Sequence, residues 1–226
     1  MLGAVIFDFD GVITDSEILH LRAFNKVLDG YGIEIANKDY YTTYLGLTDV
    51  DCFNLLIQRG KLKSNNVMID DLVRQKNLVF EELAKSEGKI IEGVRDFLEM
   101  LAQNEVPMAI CSGALLAEIE LILEEAKLRN FFEVIVSAEF VKEGKPHPEG
   151  FILALTKLNE QHKPSINASN CAVIEDSHWG LEAAKAAGMH TVAVTNTYDA
   201  DQLKAAEMVV NHLNEIKIDD LNRLCA

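Results

Sequence analysis

Short apolar runs, several ending on acidic or small polar residues and separated by segments of helical period, constrain this chain more than any other feature. Gly3–Phe9, Val106–Cys111, Val134–Val136, Cys171–Ile174 and Thr191–Val194 read as buried strands, with Met208–Val210 a weaker one. Between them Val94/Phe97/Leu98/Leu101, Leu115/Ile119/Ile122/Ala126 and Phe151/Leu155/Leu158 recur at the spacing of one helical face. Strands that are apolar on both sides of the pleat need cover on both faces, and amphipathic connecting helices supply it. The expected fold class is α/β, with a Rossmann-like parallel sheet core.

Residues 17–86 break the rhythm. They show no convincing strand, only helical stripes: Leu21/Phe24/Leu28, Phe53/Leu56/Ile57 and Val73/Lys76/Phe80/Leu83, punctuated by Gly30, Gly32, Gly46 and Gly60. One continuous domain with a helical excursion is the plainer reading. About 70 residues without a strand is long for a single crossover, however. The expected organisation is therefore a catalytic core from 1–16 and 87–226, with an inserted α-helical cap domain at 17–86.

In an open parallel sheet, ligands bind beyond the carboxyl ends of the strands. There the sequence places Asp8-Phe9-Asp10-Gly11, then Ser112-Gly113, then Glu175-Asp176, with Lys145 in the loop Gly144-Lys145-Pro146-His147-Pro148. Asp8 and Asp10 lie two residues apart at one strand end, where mutual repulsion raises a pKa, and Glu175 and Asp176 add to the crowding. One such aspartate alone would be a turn or capping residue; two acidic clusters at two strand ends call for a cation. Hard carboxylate oxygens without a nearby His or Cys suit Mg²⁺, held by Asp8, Asp10, Glu175 and Asp176. Gly11 lets backbone N–H groups approach a phosphate. Ser112 and Gly113 precede a helix, so hydroxyl and helix start form a phosphate seat, although Ser112 also suits a plain N-cap. Lys145 would neutralise the phosphate and its developing charge.

Asp8-Phe9-Asp10-Gly11-Val12 with Thr14-Asp15-Ser16, then Ser112, Lys145 and Glu175-Asp176, resembles the four ordered motifs of the haloacid-dehalogenase-like superfamily. The 17–86 insertion resembles the helical cap of its β-phosphoglucomutase-like branch. The resemblance implies an aspartyl-phosphate on Asp8. It implies that Asp10 protonates the leaving group and then activates the acceptor, and that Mg²⁺ binds Asp8, the Asp10 carbonyl and Asp176, with Glu175 a ligand or a supporting partner. Dehalogenases of the superfamily lack the second aspartate, so Asp10 argues against dehalogenation. His20 resembles a mutase-branch histidine that steers the acid/base, and Lys76-Asn77 a cap pair that contacts substrate; an exposed helix histidine and a solvated lysine are the plainer readings. In Gly46-Leu47-Thr48-Asp49 this chain departs from the branch, carrying Asp49 where mutases carry an arginine for a second phosphate. A carboxylate would repel that phosphate, which favours water as acceptor.

The expected activity is an Mg²⁺-dependent phosphatase acting on a small phosphorylated metabolite of the sugar-phosphate kind. A phosphohexomutase is the alternative, followed by a phosphonatase using a cap lysine and by a catalytically idle binding protein. The absence of a Walker-type glycine loop removes the kinase reading. A net charge of -15 disfavours nucleic acid and anionic membranes as partners. The chain is expected to act as a monomer or weak homo-oligomer. Its four cysteines form no CxxC pair, and it runs straight into Val5-Ile6-Phe7-Asp8 without a charged-then-apolar leader. A reducing, cytoplasmic setting is the expectation.

Overall fold

The computed structural model describes residues 1–45, 47–63 and 68–226; Gly46 lies outside the described residues. The chain divides into two compact units, 1–15 with 89–226, and 16–88.

The first unit is a six-stranded sheet of β1 (Ala4–Phe7), β2 (Met108–Cys111), β3 (Val134–Val136), β4 (Cys171–Glu175), β5 (His190–Val194) and β6 (Met208–Val210). The order is β3-β2-β1-β4-β5-β6, and every pair is parallel. Strand β2 starts two residues later than the apolar run beginning at Val106. Pro107 lacks an N–H, and it contributes to the sheet only as an acceptor for Val5 N–H at 3.0 Å. Strand β1 stops at Phe7, because the carbonyl of Phe9 instead accepts from Val12, Ile13 and Thr14 in a tight turn.

Alternation along the strands divides the core. Ala4, Ile6, Ala109, Cys111, Cys171 and Val173 pack on one face with Phe151, Ala154 and Leu158 and with Ala183 and Ala184. Phe7 points to the other face and meets Phe97 and Phe132 edge-on at 5.9 and 5.7 Å. Each such buried aromatic or aliphatic side chain contributes about 1.5–3 kcal/mol. Both faces being covered is why the strand sequences read as unbroken apolar runs.

Among its described residues the second unit has no strand, and its α-helices are α1 (Glu17–Leu28), α2 (Asn37–Asp39), α3 (Asp49–Gln58) and α4 (Met68–Glu87). Leu21, Phe24, Leu28, Phe53 and Leu56, from the first two stripes in the sequence, form its core together with Leu72, which lies one residue before the third stripe. Thr48 caps α3 by accepting from Asp51 N–H at 3.2 Å. The helices of the first unit continue as α5 (Val94–Gln103), α6 (Leu116–Glu125), α7 (Glu149–Gln161), α8 (His178–Ala186) and α9 (Ile218–Leu224). No helix among the described residues is long and apolar enough to cross a membrane. All four cysteines are buried and free.

Candidate active site

The strand order reverses direction between β1 and β4, and the two acidic motifs leave the sheet there side by side. Phe7 pairs with Ile174, so Asp8 stands level with Glu175, and Asp8 N–H donates to the Ile174 carbonyl at 2.9 Å. This is the crevice that an open parallel sheet offers a ligand. Asp8, Glu175 and Asp176 are all buried, with one oxygen from each lying within 4.8 Å of the others.

Lys145 reaches into this cluster. Its Nζ donates to Asp8 Oδ1 at 2.5 Å and to Glu175 Oε1 at 2.6 Å, and lies 5.1 Å from the Phe151 ring centroid. Burial pushes Lys145 down, but the charges of Asp8 and Glu175 outweigh it and hold the ammonium protonated. Glu175 is fully buried and spent on structure. Its Oε2 accepts from Asp176 N–H, Ser177 N–H and the Ser177 hydroxyl at 3.0, 3.0 and 2.9 Å.

One lysine does not balance the carboxylates. Burial pushes the Asp8 carboxyl up to about 7; Lys145 opposes the rise, and Glu175 and Asp10 add to it. Asp176 is raised well above its usual range by burial and then by Asp8 and Glu175. A cluster that resists its own charge, built of oxygen donors alone, fits a hard divalent cation.

Two glycines make the cluster possible. Gly11 adopts φ +77°, and a side-chain carbon there would fall 1.8 Å from Asp176 Oδ2. At Gly180, in the first turn of α8, the same carbon would fall 1.7 Å from Glu175 Oε1. Gly180 escaped the sequence reading, because a lone glycine near a helix start has several commoner causes.

Ser112 and Gly113 follow β2, whose Ile110 pairs with Phe7, so they stand beside the end of β1. Ser112 does not cap α6: that helix begins at Leu116 with Leu115 at its N-cap, and Ser112 Oγ accepts from Ala114 N–H at 3.0 Å. The Leu115 and Leu116 amides donate to Glu118 and Glu139 carboxylates, so the helix start is already engaged by acidic side chains.

His20 and Lys76 meet inside the helical unit. Lys76 is fully buried, not a solvated surface lysine; its Nζ lies 2.8 Å from His20 Nδ1 and 2.9 Å from Asp49 Oδ2. Lys76 Nζ also lies 5.1 and 5.3 Å from the Phe80 and Phe24 ring centroids, and His20 stacks on Phe80 at 4.0 Å. An ammonium only donates, so His20 Nδ1 accepts and the ring is neutral. Burial, then the Lys76 charge, lowers the His20 pKa well below 6.5. A histidine with a depressed pKa supports the fold above its unfolded value of about 6.5 and withdraws that support as pH falls below it. Unfolding free energy should therefore carry a contribution of about 1.4 kcal/mol per pH unit below that point, one that His20→Gln removes. Denaturant titrations of both proteins between pH 7.5 and 5 check this; parallel curves would show that His20 titrates normally.

Comparison with known proteins places these observations in a family. A family model for haloacid dehalogenase-like hydrolases matches residues 5–194. A phosphorylated carbohydrates phosphatase of Thermotoga maritima is 32% identical over 84% of this chain and 83% of that protein. The fructose-1-phosphate phosphatase YqaB of Escherichia coli is 29% identical over 84% of this chain and 95% of that protein. Among solved structures, a β-phosphoglucomutase from Clostridium difficile superposes with a TM-score of 0.81 at 26% identity, covering 100% of this chain and 97% of that one.

Proposed function

We propose that this chain, which belongs to the haloacid dehalogenase-like hydrolase family, hydrolyses the phosphate monoester of a small sugar or polyol through a phosphoaspartate on Asp8. The observation that carries the reading is the Lys145 ammonium shared between Asp8 and Glu175, with Asp176 alongside. The names of the Thermotoga and Escherichia relatives support the choice of phosphorylated carbohydrates.

In this reading an Asp8 carboxylate oxygen attacks phosphorus. The bond from phosphorus to the sugar oxygen breaks, and the leaving alkoxide takes a proton from Asp10. Asp10, now a carboxylate, removes a proton from water as that water attacks phosphorus; inorganic phosphate departs and Asp8 is restored. Lys145 faces the anionic phosphate from the Asp8 side, while the Ser112 hydroxyl and Gly113 N–H hold its remaining oxygens. The Asp8 and Asp176 carboxylates and the Asp10 carbonyl would hold Mg²⁺. When bound, the ion screens the charge that otherwise keeps a carboxylate from approaching a phosphate. Glu175, with both oxygens committed, holds Lys145 and the turn after β4.

The similarity to a mutase raises phosphate transfer to a second sugar hydroxyl as the competing reaction. The Lys76–Asp49 ion pair speaks against it. The buried lysine of the helical unit is matched by that unit's own carboxylate, whereas a bisphosphate needs added positive charge. The expected result is Mg²⁺-dependent phosphate release from hexose and hexitol monophosphates, stopped by EDTA and restored by added Mg²⁺. No exchange between hexose 1- and 6-phosphates should occur when trace bisphosphate is supplied. Isomerisation outpacing phosphate release would reverse the assignment, and undiminished release in EDTA would remove the metal.

A further inference from the structure

The loop after β5 fastens the two acidic motifs together, residue by residue. Thr195 N–H donates to the Val210 carbonyl and its hydroxyl to Asn211 Oδ1, both at 3.0 Å, tying the loop's base to the end of β6. Asn196 Nδ2 donates to the Gly11 carbonyl at 2.7 Å, across 185 residues of sequence. The Thr197 hydroxyl stands beside Gly11 on the same side as the Asp176 carboxylate, where it counters the rise in that group's pKa. Tyr198 packs edge-on against His178 and Trp179, with centroids 5.2 and 6.3 Å away, at the start of the helix that follows Asp176. The gap these contacts span is narrow: a side-chain carbon at Gly11 would lie 1.8 Å from Asp176 Oδ2 and 2.9 Å from Thr197 Oγ1.

We propose that Asn196 and Thr197 are positioning residues for the cation site, setting the gap between the Asp8–Gly11 turn and Asp176 and fixing which Asp176 oxygen faces the ion. Asp176 sits at the end of a strand, and its carboxylate must turn toward Asp8 against repulsion. In this role the Thr197 hydroxyl, placed beside that carboxylate, donates to one of its oxygens, defines the plane of the group and leaves the other oxygen to coordinate. Asn196 does the complementary task on the other side, holding the Gly11 peptide and with it the turn that carries Asp10. Neither residue needs to touch substrate or ion. Partners of this kind commonly control metal affinity about as strongly as 10- to 100-fold.

The inference rests on the proposed cation site, and the test separates the two. Mn²⁺ binding to the intact protein, measured as loss of the free-ion electron paramagnetic resonance signal, reports affinity without turnover. Thr197→Val should weaken Mn²⁺ binding about tenfold, and Asn196→Ala by a similar factor. Thr197→Ser, which keeps the donor, should bind like the wild type. Both positions are exposed, so metal-free melting temperatures should stay at the wild-type value. A purely structural loop would instead lower the melting temperature and leave the affinity of the folded protein unchanged. Equal affinity in Thr197→Val and wild type overturns the inference alone. A wild-type protein that binds no Mn²⁺ overturns the cation site and the inference with it.

Discussion

Asp8→Asn is expected to lower kcat by about four orders of magnitude or more, a barrier rise of roughly 5 kcal/mol, while the protein folds and, without metal, melts no lower than the wild type. Asparagine keeps the shape of the side chain, and its amide oxygen still accepts from Lys145. What disappears is the carboxylate that attacks phosphorus in the proposed reaction. The stability half of the expectation follows from the charge balance. Burial holds the Asp8 carboxyl up near about 7, so above that pH its charge is carried at a cost, beside Glu175 and Asp176. An uncharged amide relieves that repulsion and leaves Lys145 paired with Glu175. Steady-state phosphate release and thermal melts in EDTA measure the two effects. Turnover within about tenfold of the wild type would remove Asp8 from the nucleophile's role; a large fall in melting temperature would show that its charge supports the fold.

The acidic motifs were legible because a strand buried on both faces leaves polar residues no place except its ends. Asp8, Ser112 and Glu175-Asp176 could thus be assigned to one edge of the sheet before any coordinate. Lys145 stood out beside two prolines in a loop, but its double engagement was not legible. That depends on the register that sets Asp8 level with Glu175. The burial of Lys76 was half-written in the sequence, since it occupies a core position in the stripe Val73/Lys76/Phe80/Leu83; the partner that makes burial tolerable, Asp49, lies on another helix. Ser112 misled as an N-cap because the segment before α6 turns once more before the helix begins. Asn196 and Thr197 were invisible: two polar residues after a strand have the composition of any turn, and their partners lie far away in sequence.

Lys145→Met should behave differently from Asp8→Asn, losing activity and stability together. The lysine faces two buried carboxylates at 2.5 and 2.6 Å. Removing it strands both of them, with Asp176 close by. Breaking a buried pair in this way costs about 3–5 kcal/mol, and losing a cation aimed at the phosphate should lower kcat/KM by about 10²–10³. The sign of the pH effect follows from the raised carboxyls. A group whose folded pKa lies above its unfolded value favours the fold at low pH, and that contribution is lost as pH rises through the folded pKa. Asp8 and Asp176 are already raised, and without Lys145 they rise further, so the variant's deficit should be greatest at pH 8 and narrow toward pH 5. Mg²⁺ should restore part of the stability at pH 8 by supplying charge to the same oxygens, without restoring full activity. Denaturant titrations at both pH values, with and without Mg²⁺, give the comparison. A deficit independent of pH would mean that Lys145 contributes packing through its stem against Phe151 instead of charge balance, and would take the lysine out of the proposed chemistry.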